Sequence, residues 1–160
     1  MAQERNEKPS SEGELALKFQ VHAKIAKPIA EVFDAVYNPK KLSGYFTTNG
    51  ASAPLDEGTT VTWDFADFPG AFPVYVKKVE KNRSIELEWK AGDGDYNTQV
   101  RMEFEPLDGN ATLVRISESG WQKTPKGLES SYGNCMGWSQ MLLCMKVFVE
   151  QGTNLRKFLY

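Results

Sequence analysis

The chain has 160 residues, the length of one domain, and is 41% hydrophobic and 25% charged, a composition that excludes a disordered or fibrous protein. Nine Phe, six Tyr and four Trp stand against a single histidine, His22, which rules out a multi-histidine metal site and leaves any Ser-His-Asp or Cys-His mechanism one imidazole to use. The net charge of −2 resides in the first fourteen residues, where Glu4, Glu7, Glu12 and Glu14 outnumber Arg5 and Lys8; the balanced remainder carries no basic footprint for nucleic acid.

Residues 1–13 hold almost no apolar side chains, so a disordered polar tail is expected there, followed by a single domain over 14–160. From Leu15, alternation of Leu15, Leu17, Phe19, Val21, Ala23 and Ile25 with polar residues predicts a strand whose polar face carries His22. Pro28 suits a first helical turn, and Ile29, Val32, Phe33 and Val36 recur at helical spacing up to Asn38-Pro39. Lys40 to Phe46 reads as a second short helix or turn, followed by a polar loop containing Asn49-Gly50.

A run of strands follows. Val61, Trp63 and Phe65 share a face, and Phe72 to Val79 is expected to return after a Pro69-Gly70 turn. Ile85, Leu87 and Trp89 alternate with Glu86 and Glu88. Beyond Gly92-Asp93-Gly94-Asp95, the residues Tyr96, Thr98, Val100, Met102 and Phe104 face one way. After Asp108-Gly109-Asn110, Thr112, Val114 and Ile116 do the same. Short connections between such strands imply a curved antiparallel meander with a dry face and a wet face.

The last element runs from about Pro125 to Gln151, with Gly152 as its stop, and between Cys135 and Val149 it is apolar almost all round. It is expected to cover the sheet and to keep a second face for a partner, such as a second copy in a homodimer. Its apolar run is too short and too interrupted for a membrane span. Cys135 and Cys144 lie roughly 13 Å apart along one helix and cannot pair, so two reduced thiols and a cytoplasmic location are expected.

Strand, two short helices, strand meander and long closing helix are the elements of an α+β helix-grip fold. The residues themselves resemble a family, the activator of heat-shock-protein-90 ATPase homologues in the START-like, or SRPBCC, superfamily. Residues Ile25 to Val36 are similar to its opening strand-to-helix passage, Asn38-Pro39-Lys40-Lys41-Leu42 to the segment after it, and Gly137-Trp138-Ser139-Gln140-Met141-Leu142-Leu143 to the start of its long final helix. Tyr45-Phe46 stands where many members have Trp-Phe.

In that fold, Trp63, Phe65, Trp89, Tyr96, Met102, Phe104, Trp138 and Met141 face the space between sheet and helix. They either fill a core or wall a cavity for a small hydrophobic or amphipathic molecule. Glu118 continues the inward set Thr112, Val114, Ile116 and, beside Trp121, is a candidate acid or base; the simpler expectation is that the strand has ended and Glu118 is solvated. Asn134, one turn before Trp138, is a candidate polar contact for a ligand. Asp64 and Asp67 lack a third acid or a histidine and make a poor metal site, and no cofactor pattern is present. Non-enzymatic ligand binding is therefore the leading expectation. A co-chaperone module acting on a heat-shock-protein-90-type ATPase and a cyclase- or hydrolase-like enzyme using Glu118 are the alternatives that the resemblance implies.

Overall fold

The structure, a computed structural model, describes residues 13–160, so the expected tail lies outside the described residues except for Gly13. In chain order the elements are β1 (Lys18–Ile25), α1 (Ile29–Tyr37), α2 (Pro39–Leu42), β2 (Gly50–Ala51), β3 (Thr60–Phe65), β4 (Phe68–Glu80), β5 (Ser84–Lys90), β6 (Asn97–Leu107), β7 (Ala111–Ser119) and α3 (Pro125–Gln151). A short 3-10 turn at Arg156–Phe158 closes the chain. The seven strands form one antiparallel sheet in the order β1-β7-β6-β5-β4-β3-β2, curved around α3 in the helix-grip arrangement.

Strand β1 begins three residues later than the alternation suggests. Lys18 pairs with Ser119, and Gly120, at φ 104°, turns the partner chain away, so Leu15 and Leu17 meet no strand among the described residues and Leu15 stays 68% exposed. His22 lies on the exposed face, as its position in the alternation requires.

Val32, Phe33, Ala35 and Val36 bury one side of α1, and Asn38 caps α2 by accepting from the Lys40 N–H. Tyr45 is fully buried and donates its hydroxyl proton to the Ala35 carbonyl at 3.0 Å, tying the turn after α2 to α1. The segment expected as loop around Asn49-Gly50 contributes the short edge strand β2, paired with Asp64 and Trp63.

The β3–β4 turn is not at Pro69-Gly70. Phe65 pairs with Phe68 around Ala66-Asp67, and Trp63 pairs with Phe72, so Pro69, Gly70 and Ala71 form a bulge within β4. Proline cannot donate to a ladder and Gly70 sits at φ 130°, both suited to a bulge; the Gly70 N–H bonds Asp64 Oδ1 at 3.1 Å. The turn between β6 and β7 follows the expected positions, with Gly109 and Asn110 both at positive φ.

Thr124 caps α3 by accepting from the Gly127 N–H, Pro125 opens the helix, and Gly152, at φ 72°, ends it. The inner side of α3 buries Trp138, Met141, Leu142, Cys144 and Met145 against the inner faces of the strands. Each large side chain fully buried there contributes about 1.5–3 kcal/mol of transfer free energy. After α3, Leu155 packs on the core and Arg156 reaches Asp67 in the β3–β4 turn through two hydrogen bonds of 2.8 Å, its guanidinium 4.7 Å from the Phe65 ring centre. Asp67 is therefore an ion-pair partner for the end of the chain.

Candidate functional site

Glu118 is 1% exposed. Strand β7 continues through it to Ser119, with Glu118 opposite Val100 on β6 and Phe19 on β1, so the period-two alternation carries the carboxylate inward. The expectation of a finished strand and a solvated side chain is thereby corrected: the ladder to β1 and β6 extends three residues past Ile116, to Ser119, and holds the orientation.

Four neutral side chains hold this carboxylate. Oε1 accepts from Trp89 Nε1 at 2.8 Å, Thr98 Oγ1 at 2.6 Å and Asn134 Nδ2 at 3.0 Å; Oε2 accepts from Trp138 Nε1 at 2.7 Å and Asn134 Nδ2 at 3.2 Å. Trp89 and Thr98 are paired neighbours on β5 and β6, while Asn134 and Trp138 are one turn apart on α3. The carboxylate thus joins three strands to the helix. Among the described residues its hydrogen-bond partners are all uncharged, an expensive environment for an ionised group unless every lone pair is met.

Around this centre the aromatic side chains contact one another. Trp89 lies 5.2 Å from Trp138 and 5.9 Å from Trp63, ring centre to ring centre, and Phe46 lies 5.5 Å from both Trp63 and Trp138 and 4.9 Å from Phe65. Trp63, Trp138, Met102 and Met141 are essentially fully buried. The Nε1 atoms of Trp63 and Trp121 are also buried and have no acceptor among the described residues.

Not every residue expected at the site belongs to it. Phe104 packs edge-on against Phe33 of α1, 5.3 Å away, and lies six residues along β6 from Thr98, about 20 Å. Tyr96 donates to both carboxylate oxygens of Asp93, at 2.6 and 2.7 Å, and accepts from the Gln122 N–H; burial first, then Asp93, raises its pKa. It fastens the β5–β6 turn to the start of α3's approach. Trp121 packs tilted against Phe19, ring centres 5.6 Å apart, and does not bond Glu118.

Two participants are absent from the expected set. Thr98 was legible as a polar residue at an inward position of β6, a signal for a buried partner. Phe46, which touches Trp63, Phe65 and Trp138, comes from a turn whose direction no periodicity reveals.

Above Asn134 the surface has an open depression of about 450 Å³ bordered by Gly92, Asp93, Lys126, Glu129, Ser130 and Gly133. Asn134 is half-buried between it and Glu118. A larger groove of about 680 Å³ runs between α1 and the β4–β5 turn, with Phe33, Tyr37 and Val79 among its walls, apart from the Glu118 centre. Among the described residues no cluster of His, Cys, Asp and Glu is suited to a metal, and no helix is long and apolar enough to cross a membrane.

Known structures share this architecture. The protein SSP2350 of Staphylococcus saprophyticus is 24% identical, with 86% of this chain and 96% of that one aligned at a TM-score of 0.71. The Aha1 protein of Colwellia psychrerythraea, described as a dimer in solution, is 20% identical over 84% of this chain and 97% of its own, TM-score 0.69. CalU16 of Micromonospora echinospora is 16% identical over 88% and 79%, TM-score 0.67. These likenesses speak to the fold. No curated protein matches the sequence. The sequence profile of one family, described as activator of Hsp90 ATPase homolog 1-like protein, matches residues 26–150. With that match spanning all but the two ends of the helix-grip domain, the chain belongs to the activator of Hsp90 ATPase homolog 1-like family.

Proposed function

We propose that the protein is a non-enzymatic binding domain for a small hydrophobic or amphipathic molecule, received between the sheet and α3 next to Glu118. The observation that carries this reading is the buried carboxylate itself. Among the described residues Glu118 has only neutral donors, two of them indoles, and one donor, Asn134, also borders an open depression. A core needs no such group, and apolar side chains of similar volume hold strands and helix together at lower cost. The indole N–H of Trp63, which has no acceptor among the described residues, adds a donor that a bound polar group can satisfy. Because the rings touch, a ligand must part Asn134 and Trp138 from Glu118, so binding couples to a displacement of α3.

Native mass spectrometry of gently purified protein, followed by solvent extraction, tests the proposal. A bound small molecule, lost in Trp89→Ala and Trp138→Ala variants that remain folded, is the expected outcome. Bare protein mass, or retention of the same molecule by both variants, overturns it.

A second reading, self-association, is favoured by the apolar residues left exposed on α3 and by the dimeric state of the Colwellia neighbour. Light scattering across a concentration series tests it, with a mass rising toward twice that of the monomer expected.

A further inference from the structure

On the side of α3 away from the sheet, Leu128 is 39% exposed, Tyr132 66%, Met136 60% and Leu143 57%. At 100° per residue these four, with the half-buried Cys135 and Ser139, fall within an arc of about 100°, opposite Met141 and Met145 in the core. The stripe is about 22 Å long.

Its spacing reads the same in both directions. Leu128, Tyr132, Cys135, Met136, Ser139 and Leu143 are placed symmetrically about the point between residues 135 and 136. A two-fold axis through that point, perpendicular to α3, sets Leu128 against the partner's Leu143, Tyr132 against the partner's Ser139, and Cys135 against the partner's Met136. An isologous interface needs this self-complementarity, because one patch must serve as both surfaces. The small Ser139 opposite the large Tyr132 gives the alternation of sizes that lets two helices interdigitate at the shallow crossing of a left-handed pair. Antiparallel axes also set opposite ends of the two helix dipoles together.

We propose that the chain forms a two-fold dimer in which α3 packs antiparallel against α3 of a second copy, centred between Cys135 and Met136. The proposal rests on the second reading above, that the chain self-associates, and specifies the surface and register. The stripe exposes on the order of 400 Å² per copy, about half of what a standard interface buries on each partner, so the dimer is expected to dissociate in the micromolar range.

Four measurements on the whole chain test this. Light scattering from about 5 to 500 μM, a range chosen to bracket micromolar dissociation, should show reversible dimerisation; a monomer throughout overturns the self-association reading and the proposal with it. A short bifunctional maleimide should link two chains through Cys135 and fail on Cys135→Ser, Cys144 being fully buried and its thiol pKa raised by that burial. Spin labels on Gln151→Cys in the Cys135→Ser background should lie about 45 Å apart in the antiparallel pair and within about 20 Å in a parallel one. Leu143→Glu and Tyr132→Glu, tested separately, should each weaken association more than tenfold while leaving unchanged the thermal midpoint measured on dilute, monomeric protein. A dimer with close Gln151 labels, or one that both variants leave intact, overturns the α3 seam while the self-association reading stands.

Discussion

Glu118 shows how a single side chain can join the two layers of the fold. Its oxygens accept from β5, β6 and α3, so the carboxylate is the polar fastening between a sheet and a helix that otherwise meet through apolar contacts. Hydrogen bonds to a charged group contribute about 1.5–3 kcal/mol, and an orphaned buried partner costs a further amount of the same order. Trp138→Phe keeps the ring in the aromatic cluster and removes one donor. It is expected to lower unfolding stability by about 2 kcal/mol in urea titration; a loss within about 0.5 kcal/mol, the spread of ordinary surface substitutions, would show that the bond contributes little. Glu118→Gln should be worse, about 2–4 kcal/mol, because its amide N–H group faces the N–H donors of Trp138 and Asn134.

At the scale of elements, the closures at the two ends of α3 differ in kind. The N-terminal closure is steric. Gly127 lies so close to Gln122 that an added Cβ would sit 2.0 Å from its carbonyl oxygen, leaving no room for a side chain unless the 122–124 turn moves. Gly127→Ala is expected to cost about 2–4 kcal/mol in the same titration, far beyond the small gain that alanine brings to an open helical site. The C-terminal closure is ionic. The Arg156 and Asp67 side chains are about 10% and 18% exposed, and the pair straps the end of the chain over Phe65. Burial alone would raise the Asp67 carboxyl, but the hydrogen bonds and charge of Arg156 and a backbone N–H outweigh it and hold the group below its ordinary value of 3.8. A lowered carboxylate contributes stability that is fully present above its unfolded pKa and is lost as pH falls through the folded value. The stability difference between wild type and Arg156→Ala should therefore be constant above about pH 5 and shrink below about pH 4; a difference unchanged at pH 3 would show that stacking alone holds the strap.

These closures also show what the sequence discloses. Pro125 and Gly152 announce both ends of α3 because helix starts and stops depend on local backbone chemistry, and alternation places Glu118 inward for the same local reason. The strand's persistence to Ser119, which decides whether Glu118 is buried, is supplied by pairing with residues some hundred positions earlier. The Pro69-Gly70 bulge misleads for a similar reason: the dipeptide signals a change of direction, and only the register with β3 decides whether that change is a turn or a bulge. Among the expected wall residues, Trp63, Phe65, Trp89 and Trp138 converge, whereas Phe104 shares their face but lies too far along β6. Periodicity fixes a side of the sheet; distance along the strand fixes the site.

For the whole molecule, the ionisable groups shifted by folding divide into two sets at opposite ends of the pH scale. On the acid side Asp67 is lowered as described, and Glu150 is lowered by its hydrogen bond from Lys146, at 2.7 Å, and by the Ala26 N–H. On the alkaline side three tyrosines are raised: Tyr45 well above 10.0 by complete burial, Tyr96 by burial and by Asp93, and Tyr37 chiefly by its 2.6 Å hydrogen bond to Asp56. A raised group contributes stability that is fully present below its unfolded pKa and lost as pH rises through the folded value, the mirror image of the carboxylates. The sole histidine, His22, lies on the exposed face of β1. Thermal unfolding followed by circular dichroism should accordingly give a nearly flat midpoint from about pH 5 to pH 9, falling on both sides. Absorbance of tyrosinate on alkaline titration should show a fraction that ionises only together with unfolding, and Tyr45→Phe should remove part of that fraction. A midpoint that declines steeply between pH 5 and pH 8 would contradict this division, since it would require a buried group titrating near neutrality.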